Sequence, residues 1–202
     1  MQQLLEHAAD LEDGEGRMAL HHAAANGSGG IIHRLLENGA RPSNVEGQKV
    51  LQVIWENLEA LRLEKQEEGE QILRLLLEKG MEGNVKVSTD IGVELLGWTT
   101  QRYSRYGRDV TEMAVRIAKL LVDHGAEARR TIPSKSSTAL WSAVARAPKK
   151  VLAEVLRAKD LTNDEGKKAL KALMEDIKSE RLASPDKLKL LKEALEQGSA
   201  YY

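Results

Sequence analysis

The feature that most constrains this 202-residue chain is that one short pattern keeps returning. From Asp13 to Ala40 the sequence reads DGEGRMALHHAAANGSGGIIHRLLENGA. A turn carrying Gly leads into a short Ala-rich stretch, and a Gly/Ser connection leads into the stripe Ile31, Ile32, Leu35, Leu36, which recurs at helical spacing. Gly39 then closes the unit, because glycine takes the left-handed conformation at a helix C′ position without the steric cost a Cβ brings. The spacing predicts an inner helix over about Ala19 to Asn26 and an outer helix over Gly30 to Glu37. Neither helix can bury its apolar stripe alone, so such units must stack on one another.

Four further units are traced on the same pattern. The second starts at Asn44-Val45-Glu46-Gly47 and ends at Lys79-Gly80, and the third runs from Asp90-Ile91-Gly92 to His124-Gly125-Ala126. The fourth carries Thr138-Ala139-Leu140, with Pro148 suited to the first turn of its second helix. The fifth starts at Asn163-Asp164-Glu165-Gly166, restarts after Ser184-Pro185, and has the Lys/Glu-rich surface expected of a terminal cap. From turn glycine to outer-helix Ile is 15 positions in the first unit (Gly16 to Ile31) but 25 in the second (Gly47 to Ile72) and third (Gly92 to Ile117). About ten extra residues, between Asn57 and Glu68 in the second unit, are therefore expected between the two helices.

The block Gly16-Arg17-Met18-Ala19-Leu20-His21-His22-Ala23-Ala24 resembles the ankyrin signature T-P-L-H-x-A, with Met18 and Ala19 replacing Thr and Pro. Leu20 and His21 carry the strongest part of the match, and the closing Gly39-Ala40 is similar to the family's own ending. The resemblance implies an all-α, ankyrin-type helix-turn-helix solenoid with short β-turn fingers, about five repeats and an N-terminal half repeat. As boundaries it implies 1–12 for the half repeat, then 13–43, 44–88, 89–132, 133–162 and 163–200, with 201–202 a frayed end. Gln3 to Asp10 reads like the tail of a repeat whose beginning is missing. A different helical-pair solenoid or a helical bundle would also satisfy the apolar stripes, but not the pairing of turn glycine with closing Gly-Ala.

Composition narrows the function class. Hydrophobic residues make up 42% and charged residues 30%, enough apolar surface to order the chain. Aromatics are 3% with no Phe, which suits thin helix layers filled by Leu, Ile, Val and Ala. The absence of Cys excludes disulfides, thiolate metal sites and a thiol nucleophile. No run of 18 apolar residues and no basic-then-apolar leader is present, so an intracellular, cytoplasmic setting is expected, away from membranes. The net charge of -1 divides unevenly: residues 1–98 hold 9 Lys/Arg against 17 Asp/Glu, and residues 99–202 hold 21 against 14. That balance disfavours a general nucleic-acid binder and allows orientation of a charged protein partner.

No catalytic constellation stands out, so an enzyme is not expected. His21 and His22 diverge by about 100° on a helix and cannot readily chelate one ion. By the resemblance, His21 ties neighbouring turns together by hydrogen bonds. His7 and His124 sit at capping positions, and His33 lies on an outer helix. Gly27-Ser28-Gly29-Gly30 lacks the Lys and preceding strand of a phosphate cradle, and Glu64, Glu67, Glu68 and Glu70 read as a solvated helix face. No cofactor or metal is implied.

The expected function is protein binding. Arg102, Tyr103, Arg105, Tyr106 and Arg108 concentrate interface-forming residue types in a segment with no counterpart in the resembled repeat. Trp98 stands beside them at a surface-prone position and is expected to anchor a partner. By position on turns and inner helices, Glu15, Arg17, Asn26, Gln48, Glu56, Asn57, Lys135 and Arg146 complete the set. Trp55 and Trp141 are expected in packing between repeats. Two alternatives remain open: a regulatory domain sensing a nucleotide or another phosphorylated small ligand through the Arg/Tyr cluster, and an engineered or fragment scaffold without intrinsic activity.

Overall fold

Glycines that end helices organise the first layer of this structure, a computed structural model that describes residues 14–40, 42, 44–59, 63–78, 90–100, 107–133, 137–180 and 184–197. The described residues contain ten α-helices and one 3-10 turn. The chain forms two compact units, residues 1–86 and 87–202.

In the N-terminal unit, α1 (Gly14–Ala25) and α2 (Gly29–Glu37) form one pair, and α3 (Asn44–Glu59) and α4 (Leu63–Glu78) form the next. Helix α1 packs on α3 and α2 packs on α4, which is the stacking of inner on inner and outer on outer that the repeat pattern requires. Gly39 has φ +92°, and the amides of Gly39 and Ala40 donate to Leu36 O and Leu35 O at 3.2 and 2.9 Å. This is a Schellman ending, which satisfies carbonyls the helix leaves free. Ala40, following it, is buried against the layer, so the closing Gly-Ala pair turns the chain and seals the core. Gly27, at φ +62°, ends α1 in the same way.

Two expectations are corrected here. Helix α1 starts at Gly14, about five residues ahead of the expected start, because Met18 and Ala19 offer neither a capping hydroxyl nor the ring of a Pro to stop it. Asn44 to Gly47 is likewise helix rather than turn. The extra residues of the second pair, moreover, do not form a separate insertion. They lengthen α3 and α4, each of 16 residues, at their facing ends. Buried Gln66 bridges that extension by donating to Leu58 O at 3.1 Å, and Gly69 permits close approach to the Ile54 carbonyl.

The C-terminal unit alternates in the same manner. Its helices are α5 (Asp90–Thr99), α6 (Gly107–Asp123), α7 (Ala139–Arg146), α8 (Lys149–Val155), α9 (Asp164–Glu180) and α10 (Pro185–Gln197), with the 3-10 turn Lys159–Leu161 before α9. Helix α7 packs on α5 and α8 on α6, while α10 packs on α8 and α9. Gly125, at φ +91°, repeats the Schellman ending seen at Gly39, and buried Ala126 follows it. Pro148 stands one position ahead of the expected first turn, at the N-cap of α8, whereas Pro185 opens α10. The single β-turn finger among the described residues spans the chain before α7. Thr131 and Thr138 form an antiparallel bridge, Ile132 N donates to Ser137 O at 2.9 Å, and Leu140 N donates to Ala128 O at 2.9 Å.

Candidate functional site

Thr138 fixes where α7 begins. Its hydroxyl accepts from the Trp141 amide at 3.1 Å, so one first-turn donor is satisfied and the finger ends where the helix starts. From that start, α7 buries Leu140, Ala143 and Val144 and leaves Trp141 half-buried and Arg146 exposed. The Arg146 guanidinium carbon lies 5.7 Å from the centroid of the Trp141 ring, within the range of cation-π attraction.

Opposite this wall stands α9. Asn163 accepts from the Gly166 amide at 2.8 Å at its start, and a Cβ on Gly166 would lie 2.4 Å from both Asp160 O and Leu161 Cα, so only glycine fits. Ala169, Ala172 and Leu173 then fall on one face at helical spacing. The short side chains of Ala169 and Ala172 leave a groove of about 840 Å³ between α7 and α9, with Asp176 at its border.

The finger closes one end of the groove through Arg129. The Asp160 carboxylate accepts from the backbone amides of Ala128 and Arg129 at 3.0 and 2.8 Å, tying the finger to the 3-10 turn. The Arg129 side chain pairs with Asp160 at 3.6 Å and Glu165 at 3.4 Å. Behind α7, Lys187 on α10 donates to Val144 O at 2.8 Å, placing a cation at the helix C-terminus, where the dipole favours it. Burial holds the Lys187 amine below the usual lysine range. Arg157 moves the other way, raised chiefly by its hydrogen bond to Glu154 at 2.6 Å, with Asp123 as a second partner at 3.0 Å.

The sequence-predicted site residues scatter. Trp98 is corrected: it is only 6% exposed and belongs to the core, on a helix whose last seven residues are all buried except Glu94. Thr99 and Thr100 end that helix by donating their hydroxyls to Leu96 O and Gly97 O at 2.7 and 2.8 Å. Asn57 is also corrected, being buried and donating to Glu68 Oε2 at 3.5 Å. Arg102, Tyr103, Arg105, Tyr106 and Lys135 lie outside the described residues, as does His7. Glu15 and Arg17 fall on α1 and Arg108 on α6, by backbone alone. Asn26 caps α1 by donating to His22 O at 2.8 Å, Gln48 is half-buried on α3, and exposed Glu56 accepts from Gln52 at 3.0 Å. Of the predicted set, Arg146 alone among the described residues reaches the groove.

His21 tests the inter-repeat expectation directly. Lys49 Nζ lies 3.1 Å from its ring nitrogens, so the tie runs to the next inner helix rather than to a turn. Trp55 and Trp141 are both half-buried, between the packing role expected of them and a surface. His124 Nδ1 lies 2.7 Å from Leu120 O, and His33 pairs with Glu37 at 3.4 Å. Among the described residues no group of three His, Asp or Glu is placed to hold a metal, and no helix is long and apolar enough to cross a membrane. The groove residues Arg129, Ala169, Ala172 and Leu173 were missed from sequence. The one signal for the α9 residues is the helical spacing of Ala169, Ala172 and Leu173, two of them small.

Residues 15–43, which span α1 and α2, match the ankyrin-repeat family model. No curated protein and no solved structure matches the chain. Ankyrin repeats generally mediate protein-protein interaction and are typically not enzymes. Residues 15–43 are thus similar to one ankyrin repeat, and the described helix pairs, stacked inner on inner and outer on outer, are consistent with an all-α, ankyrin-like helical repeat fold.

Proposed function

We propose that this chain is a protein-interaction module that takes its partner along the finger and inner helices of the C-terminal unit, assisted by the Arg/Tyr-rich segment at Arg102, Tyr103, Arg105 and Tyr106. The observation that carries this reading is the groove between α7 and α9. It is concave, part apolar, and bordered by a Trp and two Arg, the residue types that dominate binding free energy at interfaces. Its walls are rigid elements: a hydroxyl cap starts one, and a glycine contact seats the other.

The test compares affinity capture by the intact chain, by a variant with Arg102, Tyr103, Arg105 and Tyr106 all changed to Ala, and by the groove variant Trp141→Ala. Circular dichroism and cooperative unfolding establish that each variant is folded. A protein held by the intact chain and lost by either folded variant supports the reading. Equal recovery of every captured protein by all three overturns it.

A further inference from the structure

We infer that the occupant of the α7/α9 groove is an acidic peptide segment: an apolar side chain seated beside Leu140 and Leu173, and a carboxylate received by Arg146. This inference rests on the protein-interaction reading above and adds the chemistry of the partner.

Uncommitted charge selects the occupant. In the C-terminal unit, Arg129 is paired with Asp160 and Glu165, Arg130 with Asp90, and Arg157 with Glu154 and Asp123. Arg146 has no carboxylate partner among the described residues; its guanidinium is held against the Trp141 ring instead. A planar cation fixed over an aromatic face keeps its outward N–H groups available for a carboxylate, and less side-chain freedom is lost when the pair forms. Two residues beyond it, Pro148 begins a connection into Lys149 and Lys150, both exposed and also without a carboxylate partner among the described residues. Of the two groove arginines, Arg129 is therefore neutralised by its own carboxylates, while Arg146 keeps its charge uncommitted, with Asp176 the one carboxylate on the groove's lining. Between the ends, the short side chains of Ala169 and Ala172 leave room for an apolar group, whose burial supplies affinity while the charged end supplies orientation. A basic or neutral peptide would leave Arg146 without a partner. A nucleic acid would need a track of free cations, and the groove does not offer one, with Arg129 paired to Glu165 at one end and Asp176 on its border farther along α9.

The experiment uses the full 202-residue chain and fluorescein-labelled synthetic peptides with one Leu or Trp anchor flanked by Asp/Glu, by Gln, or by Lys, read by anisotropy. A single-stranded oligonucleotide serves as a fourth probe. The expected result is saturable binding of the acidic peptide, weakened about tenfold or more by Arg146→Glu, less by Arg146→Gln, and reduced by added salt. Both changes are at an exposed position, and Leu173→Ser serves as an independent groove variant. Equal binding of Gln-flanked peptides, stronger binding of the Lys-flanked peptide or the oligonucleotide, or indifference of the acidic peptide to Arg146→Glu and to a folded Leu173→Ser variant would each overturn the proposal. If capture of a partner protein still depends on Trp141 or the Arg/Tyr segment in that event, the interaction reading stands and the acidic occupant alone fails.

Discussion

The starts of α1 and α7 occupy the same place in their helix pairs and share Ala-Leu, yet they are built differently. In α7, Thr138 precedes Ala139-Leu140, its hydroxyl caps the helix, and the chain before it is free to fold into a bridged finger. In α1, Met18 precedes Ala19-Leu20, no hydroxyl is available, and the helix continues back to Gly14. The position before Ala-Leu thus holds a capping Thr where a finger precedes the helix and a Met where the helix runs on to Gly14. The α7/α9 groove lies beside the bridged finger, so the finger and the candidate binding site occur together.

Breaking the finger's seat gives the largest expected effect. Gly166→Ala places a Cβ against the backbone of Asp160 and Leu161, which cannot yield as a side-chain tip can, and should cost about 3 kcal/mol. Urea unfolding followed by hydrogen exchange in residues 126–170 checks this. A loss under 1 kcal/mol would show that the 3-10 turn moves aside easily. Asp160→Ala comes next, because it strips a charged acceptor from two backbone amides, and should cost about 2 kcal/mol while speeding exchange at Ala128 and Arg129. Unchanged exchange at those amides would remove Asp160 as the tie.

Exchanging the side chain at that position sharpens the comparison itself. Thr138→Met imitates the first pair and should cost about 1 kcal/mol through the lost cap, with helical amide shifts appearing ahead of residue 139. The reverse change, Met18→Thr, should shorten α1 toward residue 18, as read by amide and Cα chemical shifts. If neither helix boundary moves, packing rather than the cap sets it.

The smallest effect concerns Lys187, which seats α10 against the end of α7. Its folded pKa lies below the ordinary 10.5, so just under pH 10.5 the unfolded chain holds the proton more tightly than the folded chain does. The Lys187 contribution to stability therefore rises with pH through that window. Chemical denaturation at rising alkaline pH should show this increment in the parent and not in Lys187→Met, and equal pH slopes would refute it.

Reading the sequence placed the first outer helix to within a residue and assigned Gly39 and Gly125 their left-handed role, because a helix stripe and a C′ glycine depend on residues a few positions apart. It located the extra length of the second pair but not its form. Whether ten residues become a loop or extend two helices depends on what their far ends meet, as Gln66 meets the Leu58 carbonyl. It also misjudged Trp98, since a Trp near a helix end looks surface-prone until the neighbouring elements are in place.

What the sequence determined by itself is the local grammar: stacked helix pairs, glycine endings and a likeness to ankyrin repeats concentrated in the first pair. Only the tertiary structure decided which aromatic residues are enclosed and where an opening remains. Trp98 sits in the core, and small residues on α9 leave a groove facing Trp141 and Arg146. The physical reason is range. Caps and helix endings are satisfied within a turn of the chain, whereas burial and clefts are set by side chains from different repeats meeting face to face.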